Sequence, residues 1–415
     1  MEKKTCFLCV TLLALALATP AHAAKTVKIG LLYPLSGNAA AAGKSAVQAI
    51  EVGADIVNNA HPELKGIPLA ATAGLPRLGG AKIVLDVADH QGNPSIGQSQ
   101  TLRLITQDKV VALLGAYQSN VAFAATAVSE RYGIPFVVGD SVAANITGRG
   151  FKWVFRTTPI ASDFGRNYME FLGDMKKAGR KADTIAIVNE NTDYGTSVAQ
   201  SLIEQAKKAG IKVVAQIPYN ANSTDVTAQV LQLKAKNPDV VIFVSYTSDA
   251  ILYMKTMKNL DYMPSMIIGD DSGFSDPSFI PAVGPIAQGV MNRSAWAIGK
   301  PGSNTYKINA MFKKKTGRDL DDTSGRSMEA FLVLADAINR AGSTAPKKIR
   351  AALRATDLKP SQLMMGYHGV KFDKTGQNIL AATYLVQLQG KEYKAVWPSK
   401  SAVAKLEWPM KGWKK

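Results

Sequence analysis

The chain has 415 residues, with 49 lysines and arginines against 32 aspartates and glutamates, and two cysteines. The resulting formal charge of +17 is scattered, with no arginine-rich motif or aromatic-interleaved basic run, which argues against nucleic-acid binding and leaves solubility as its use. Both cysteines, Cys6 and Cys9, stand in the first ten residues, so a chain that loses its N-terminus keeps no thiol for a disulfide, a thiolate metal site or a cysteine nucleophile.

The N-terminal MEKKTCFLCVTLLALALATPAHA carries two lysines, an apolar run from Phe7 to Ala18 and a small-residue Ala21-His22-Ala23 site. This is the pattern of a signal peptide cleaved after Ala23, which predicts export to the periplasm. The run is too short to span a bilayer, and no later segment is long enough. The remaining chain, from residue 24 on, is long for one ordinary core and suits two domains.

Next in order come VKIGLLYPLSG, ending in the turn at Ser36, and AVQAIEVGADIVNN, where Val47, Ile50, Ala54 and Val57 form one helical stripe. The Pro- and Gly-broken stretch 61–80 reads as a long surface loop. AKIVLDVADH, VVALLGAYQS, IPFVVGDS, DTIAIVNENTDYG and DVVIFVSYTSD then repeat one theme: a short apolar run, a polar turn and a helical pattern. Between the last two, Val226, Val230 and Leu233 form a stripe behind an expected cap at Ser223 or Thr224. IIGDDSG repeats the strand-and-turn pattern, and RSMEAFLVLADAINRAG reads as a mostly buried helix stopped by Gly342. The basic, tryptophan-bearing tail KSAVAKLEWPMKGWKK is expected to dock on the surface or fray.

Runs this apolar imply strands covered on both faces, hence parallel sheets with crossover helices: an α/β chain of two such units. Ligands of open parallel sheets sit at the carboxyl ends of the strands. The candidates are therefore the turn residues: Ser36, Gln118, Ser119, Asp140 and Ser141 from the first half, and Tyr194, Tyr246, Asp270 and Asp271 from the second. Helix-start N–H groups and hydroxyls suit a carboxylate, and an opposed acid suits an ammonium, so the set fits a zwitterion. Taken singly, each serine or aspartate is as well explained as a helix cap.

Gly139-Asp140-Ser141 comes close to a hydrolase nucleophile elbow. A serine nucleophile needs a histidine base, and of His61, His90 and His368 none is marked for that role. The histidines also lack metal-ligand spacing, no phosphate-binding glycine loop occurs, and neither a metal nor a cofactor is expected.

From KIGLLYPLSG to about TYLVQL the chain resembles the type I periplasmic substrate-binding proteins of ABC importers, the Leu/Ile/Val-binding family. The pieces that carry the likeness are PLSG at 34–37, ITGRGFKWVFRTTP at 146–159 and IAIVNENTDYGTS at 185–197. The resemblance implies two Rossmann-like lobes, 24–160 with 293–384 and 161–292 with 385–415, joined by three crossings. It implies no enzyme activity, but hinge closure of a monomer over an amino acid or related small carboxylate or amide, read by an ABC permease in the inner membrane. By position, Ser119 matches the family's carboxylate-binding hydroxyl, Tyr194 and Tyr246 the aromatic lining, and Asp271 or Asp270 the ammonium-binding acid. Asp140-Ser141-Val142 replaces the family's alanine-alanine-threonine turn, and Ala42 stands where several relatives have tyrosine. A sensor module docking to a membrane receptor, and a secreted hydrolase using Ser141, are the alternatives.

Overall fold

The computed structural model describes residues 26–413, and the expected signal peptide lies outside them. The first five strands are β1 (Thr26–Tyr33), β2 (Lys82–Asp89), β3 (Ala112–Gly115), β4 (Phe136–Val138) and β5 (Val154–Arg156). They form one parallel sheet in the order β2-β1-β3-β4-β5. Next come β6 (Thr184–Glu190), β7 (Lys212–Tyr219), β8 (Val240–Val244), β9 (Met266–Gly269) and β10 (Met291–Ser294), then the small β11 (Asp357–Leu358) and β12 (Val370–Lys371) pair, β13 (Tyr384–Gln389) and β14 (Glu392–Trp397). The second large sheet runs β14-β13-β10-β9-β8-β6-β7 and is parallel except at β13 and β14. The continuous apolar runs are the reason: β3, β4, β8 and β9 are buried at every residue, as strands covered by helices on both faces must be.

The chain crosses between these two lobes three times. It leaves β5 for the helix Ala161–Lys177, leaves β10 for helices that return to the first lobe, and comes back into β13. The boundary expected between 292 and 293 cuts β10, because Arg293 and Ser294 still pair with Leu385 and Tyr384 inside the second sheet. The returning helix Asp322–Ala341 packs along the helix Ala40–Asn58 of the first lobe. Asp321 caps it by accepting from Ser324 N at 2.7 Å, and Gly342 ends it with φ 56°, a left-handed conformation that only glycine adopts without strain.

Three local expectations change. The helix expected to start at Ser223 or Thr224 starts at Thr227, because Asp225 Oδ1 accepts from Thr227 N and Oγ1 and closes a tight turn ahead of it. The stretch 61–80 is irregular, yet it is anchored: Leu64, Ile67, Ala70 and Leu75 are buried, and Lys65 O accepts from Asn304 Nδ2. The tail docks on the second lobe as far as it is described, with Met410 buried and Trp408 against Phe171.

Candidate functional site

Helix starts and strand ends from both lobes meet at one small enclosed cavity. The first lobe supplies Tyr117, Ser119, Asp140, Ser141, Val142 and, from the returning helix, Arg326; the second supplies Tyr194, Tyr246, Asp271, Ser272 and Arg293. The cavity measures about 10 Å³, room for roughly one water molecule. Tyr246 also walls a second, outer hollow of about 280 Å³ at the cleft mouth, where Asn38, Gln91, Gln118 and Asn120 face Thr192 and Asn222. Asn38 Nδ2 donates to Asn222 Oδ1 at 2.7 Å, and Ser197 Oγ accepts from Ala144 N at 3.1 Å, so hydrogen bonds close the lip from lobe to lobe.

Ser119 opens the helix Ser119–Tyr132, whose cap Gln118 gives no side-chain hydrogen bond to the first turn. Asn120 Oδ1 accepts from Val121 N at 2.9 Å, which leaves the N–H groups of Ser119 and Asn120 without a hydrogen-bond partner among the described residues. Ser119 Oγ accepts from Val142 N and Ala143 N at 3.3 Å each, and its own proton is given to no described residue. Ser141 is a staple: its Oγ donates to Ala116 O and, at 3.1 Å, to Tyr117 O. None of the three histidines lines the cavity with it; His90 is occupied by Gly92 N, and His61 by Asp55 and Glu63. Arg156, inside the FRTTP stretch, supports this turn from below by donating to Ser141 O, Ala143 O and Thr147 Oγ1.

Tyr194 and Tyr246 meet at the cavity with ring centroids 5.2 Å apart, and Tyr117 joins them at 5.8 Å from Tyr246. Burial pushes all three phenols well above their usual range, so they remain neutral. The hydroxyls of Tyr117 and Tyr246 have no partner among the described residues. Two expected residues stand elsewhere. Ser36 holds its own turn through Asp89 Oδ2 at 2.6 Å, and Asp270 sits behind the cavity, accepting from Tyr168 at 2.6 Å and from Tyr194 at 3.0 Å.

Arginines that the motif reading passed over change the role of Asp271. Its Oδ2 takes Arg326 Nη2 and lies 2.8 Å from Arg293 Nη2, while its Oδ1 accepts from Ser275 Oγ at 2.7 Å. Burial alone would raise this carboxyl; Arg326 and Arg293 outweigh it and hold it below the usual range. Asp271 is thus fully partnered by the protein, and the assignment of Asp271 as the free ammonium acceptor does not match its surroundings. Arg293 is further fixed over the Phe164 ring, with Cζ 3.6 Å from the centroid. Arg326 also meets Asp322 at 2.9 Å, and Asp322 in turn accepts from Trp296 N and Ser294 Oγ at 3.1 Å each. These pairs cross from the returning helix to the turn after β9, and so join the lobes at the cavity floor. The signal for them lay in the helix pattern itself, since Arg326 falls on a helix read as mostly buried.

Comparison with known proteins agrees with this architecture. The periplasmic binding protein family model matches residues 26–393. The chain belongs to that family. This periplasmic binding protein is 33% identical over 410 residues to Leu/Ile/Val-binding protein homolog 8 of Brucella suis, covering 95% of the chain and 96% of the relative. Its fold superposes with a TM-score of 0.75 on a branched-chain amino acid transporter substrate-binding protein from Streptococcus pneumoniae in complex with isoleucine, at 20% identity over 93% of this chain and 100% of that one. A solute-binding protein of an ABC transporter from Rhodopseudomonas palustris, in complex with benzoate, gives 0.73 at 21% identity over 89% and 95%. The protein is accordingly a type I, two-lobed periplasmic binding protein and not an enzyme.

Proposed function

We propose that the protein captures an amino acid or a related small carboxylate or amide in the periplasm, between a first lobe of residues 26–160 with 295–383 and a second of 161–294 with 384–413, and presents it as a monomer to an ABC permease of the inner membrane. The observation that carries this reading is the cavity to which both lobes contribute: the Ser119 helix start and Asp140 on one wall, Tyr194 and Tyr246 on the other. The bound isoleucine and benzoate of the two structural relatives support a carboxylate-bearing solute. Ser119 offers it an unspent O–H and, with Asn120, the first two N–H groups of a helix, and the outer hollow takes the remainder of the molecule. Because the inner cavity has room for roughly one water molecule, entry requires the lobes to part and Tyr246 to withdraw, and release is the reverse of that motion.

Thermal-shift screening of the full-length mature protein tests the reading. A solute at a hundred times its dissociation constant adds about 2.7 kcal/mol of stability. No stabilisation by any amino acid, amide or aromatic acid would overturn it.

A further inference from the structure

A third hollow, of about 360 Å³, lies between the lobes and shares no lining residue with the solute cavity or with the hollow at the lip. The first lobe walls it with Trp296, Ile298 and residues 318–322 ahead of the returning helix, and the second with Ile280, Pro281, Val386 and Tyr393. Asp322 separates it from the solute cavity, since it lines this hollow and meets Arg326, which lines the other, at 2.9 Å. The charged groups of the hollow are already answered within the protein. Asp276 accepts from Thr247 and Ser278, Asp319 from Asn309 and Lys313, and Asp321 from Ser324 and Ser45, while Arg318 donates to Ser45 and Gln48. Glu392 lies 3.8 Å from Lys394, and Lys391 is exposed. Three buried polar atoms of the lining residues have no hydrogen-bond partner among the described residues: Asp322 Oδ2, Trp296 Nε1 and the Tyr393 hydroxyl. The first faces the Arg326 guanidinium; the other two are donors with nothing to donate to. Trp296 is 6% exposed, and its Cε3 edge faces Gly325 of the returning helix, where an added Cβ would meet it at 3.2 Å. Nε1, on the opposite edge of the indole, is thereby turned away from that helix.

Apolar walls, no buried charge left unspent and two donors without partners together select a neutral molecule with an apolar body and an acceptor oxygen. We propose that this hollow is a second small-molecule site, taking a neutral aromatic carbonyl compound whose ring is covered by the apolar walls and whose oxygen accepts from Trp296 Nε1, with the Tyr393 hydroxyl as the other donor. The rings of Trp296 and Tyr393 suit an aromatic body better than an open chain. A carboxylate or an ammonium is disfavoured, since neither finds a buried counter-charge to offset its desolvation. Each lobe brings one side of the site, so it is complete only while the lobes are together, and an occupant that touches both sides favours that arrangement.

The test is fluorine NMR titration of the mature protein with 4-fluoroacetophenone, alongside 4-fluoroethylbenzene, which has nearly the same shape without the oxygen. The wild type should bind the ketone saturably, and neither 4-fluorobenzoate nor 4-fluorobenzylamine should displace it, a comparison that needs no variant. Trp296→Phe, which keeps a ring and removes the N–H, should weaken the ketone about five- to tenfold and leave the hydrocarbon within about twofold. Ile280→Trp, which fills the hollow from a half-buried wall position that lines neither other cavity, should abolish binding of both. Absence of saturable ketone binding, displacement by either charged probe, or an equal effect of Trp296→Phe on ketone and hydrocarbon would each overturn the assignment. So would undiminished binding to an Ile280→Trp protein with an unchanged circular dichroism spectrum. Each of these results leaves the solute-binding reading of the other cavity standing.

Discussion

The chain contains two turns of almost the same sequence at equivalent ends of its two sheets, Gly139-Asp140-Ser141 after β4 and Gly269-Asp270-Asp271 after β9, and the structure uses them differently. The second is saturated: both acids are bonded on both oxygens, Asp271 N donates to Asn292 Oδ1 at 2.8 Å, and Asp271 is held at φ 54°. A non-glycine residue in that region costs free energy, which the arginine pairs and hydrogen bonds must offset. The first turn has ordinary backbone and one acid with an unclaimed oxygen. A strand-end Gly-Asp therefore does not specify a role. The number of partners the fold brings to each oxygen does.

The sharpest way to break this comparison is to neutralise each acid in turn. Asp271→Asn removes the carboxylate nearest to both Arg293 and Arg326, leaving Asp322 as the acid they still share, and should cost about 3–5 kcal/mol in denaturant unfolding. Asp140→Asn keeps the Ser327 contact and should cost about 1 kcal/mol or less at neutral pH. Equal costs would erase the distinction.

Acidity separates the turns next. The groups around Asp140 are Arg326, Ser327 and Asp322 on the returning helix, Asp271 across the cleft and Tyr33 at the end of β1. Its carboxyl lies up at about 7 in the folded chain and near 4 when unfolded, so the native state binds the proton more tightly between those values. Its contribution is therefore complete below about pH 4 and is lost as the pH rises through about 7, amounting to about 4 kcal/mol at most. Asp140→Asn should flatten the melting temperature against pH in that window. Asp271, held low, works in the opposite sense: its contribution is present above the unfolded value and is lost in acid. A variant curve parallel to that of the wild type would contradict the Asp140 assignment of the proton.

The glycines sharpen the contrast sterically. A Cβ at residue 269 runs into the Phe274 ring, so Gly269→Ala should cost about 1–3 kcal/mol, whereas at residue 139 the nearest atom is Ala330 Cβ at 3.0 Å and the cost should stay under about 1 kcal/mol. At the small end, Ser275→Ala removes the hydrogen bond to Asp271 Oδ1 and the one accepted from Asn292 Nδ2, and should cost about 1–2 kcal/mol while leaving solute affinity within about twofold.

Much of this was legible beforehand, for identifiable reasons. Continuous apolar runs such as VVIFV dictate doubly covered strands, and the Val47, Ile50, Ala54, Val57 stripe dictates a helix face; all four stripe residues are buried. Local chemistry was legible only where one short-range signal acted alone. Gly342 stopped its helix as expected, but Asp225 intervened between Thr224 and the true helix start at Thr227. Tyr194 and Tyr246 could be placed at one wall because they stand in turns at strand ends and because the resemblance implied an aromatic lining there. Of the ion-pair floor only one end was marked, by Arg326 on a helix read as mostly buried; its partners were not, because Asp271 meets arginines on a hinge strand and on a helix that returns to the other lobe. Pairing of that kind is decided by tertiary geometry, and Ser36 was lost for the same reason, since Asp89 at the end of β2 claims it.

The Asn38–Asn222 bond at the lip offers a further use. The sequence has cysteines only at positions 6 and 9, ahead of the expected cleavage point, so thiols engineered at 38 and 222 would be the only ones in the exported chain. Dyes attached there would serve as a molecular ruler across the jaws, turning the arrival and departure of cargo into a change in energy transfer that one molecule can report in real time.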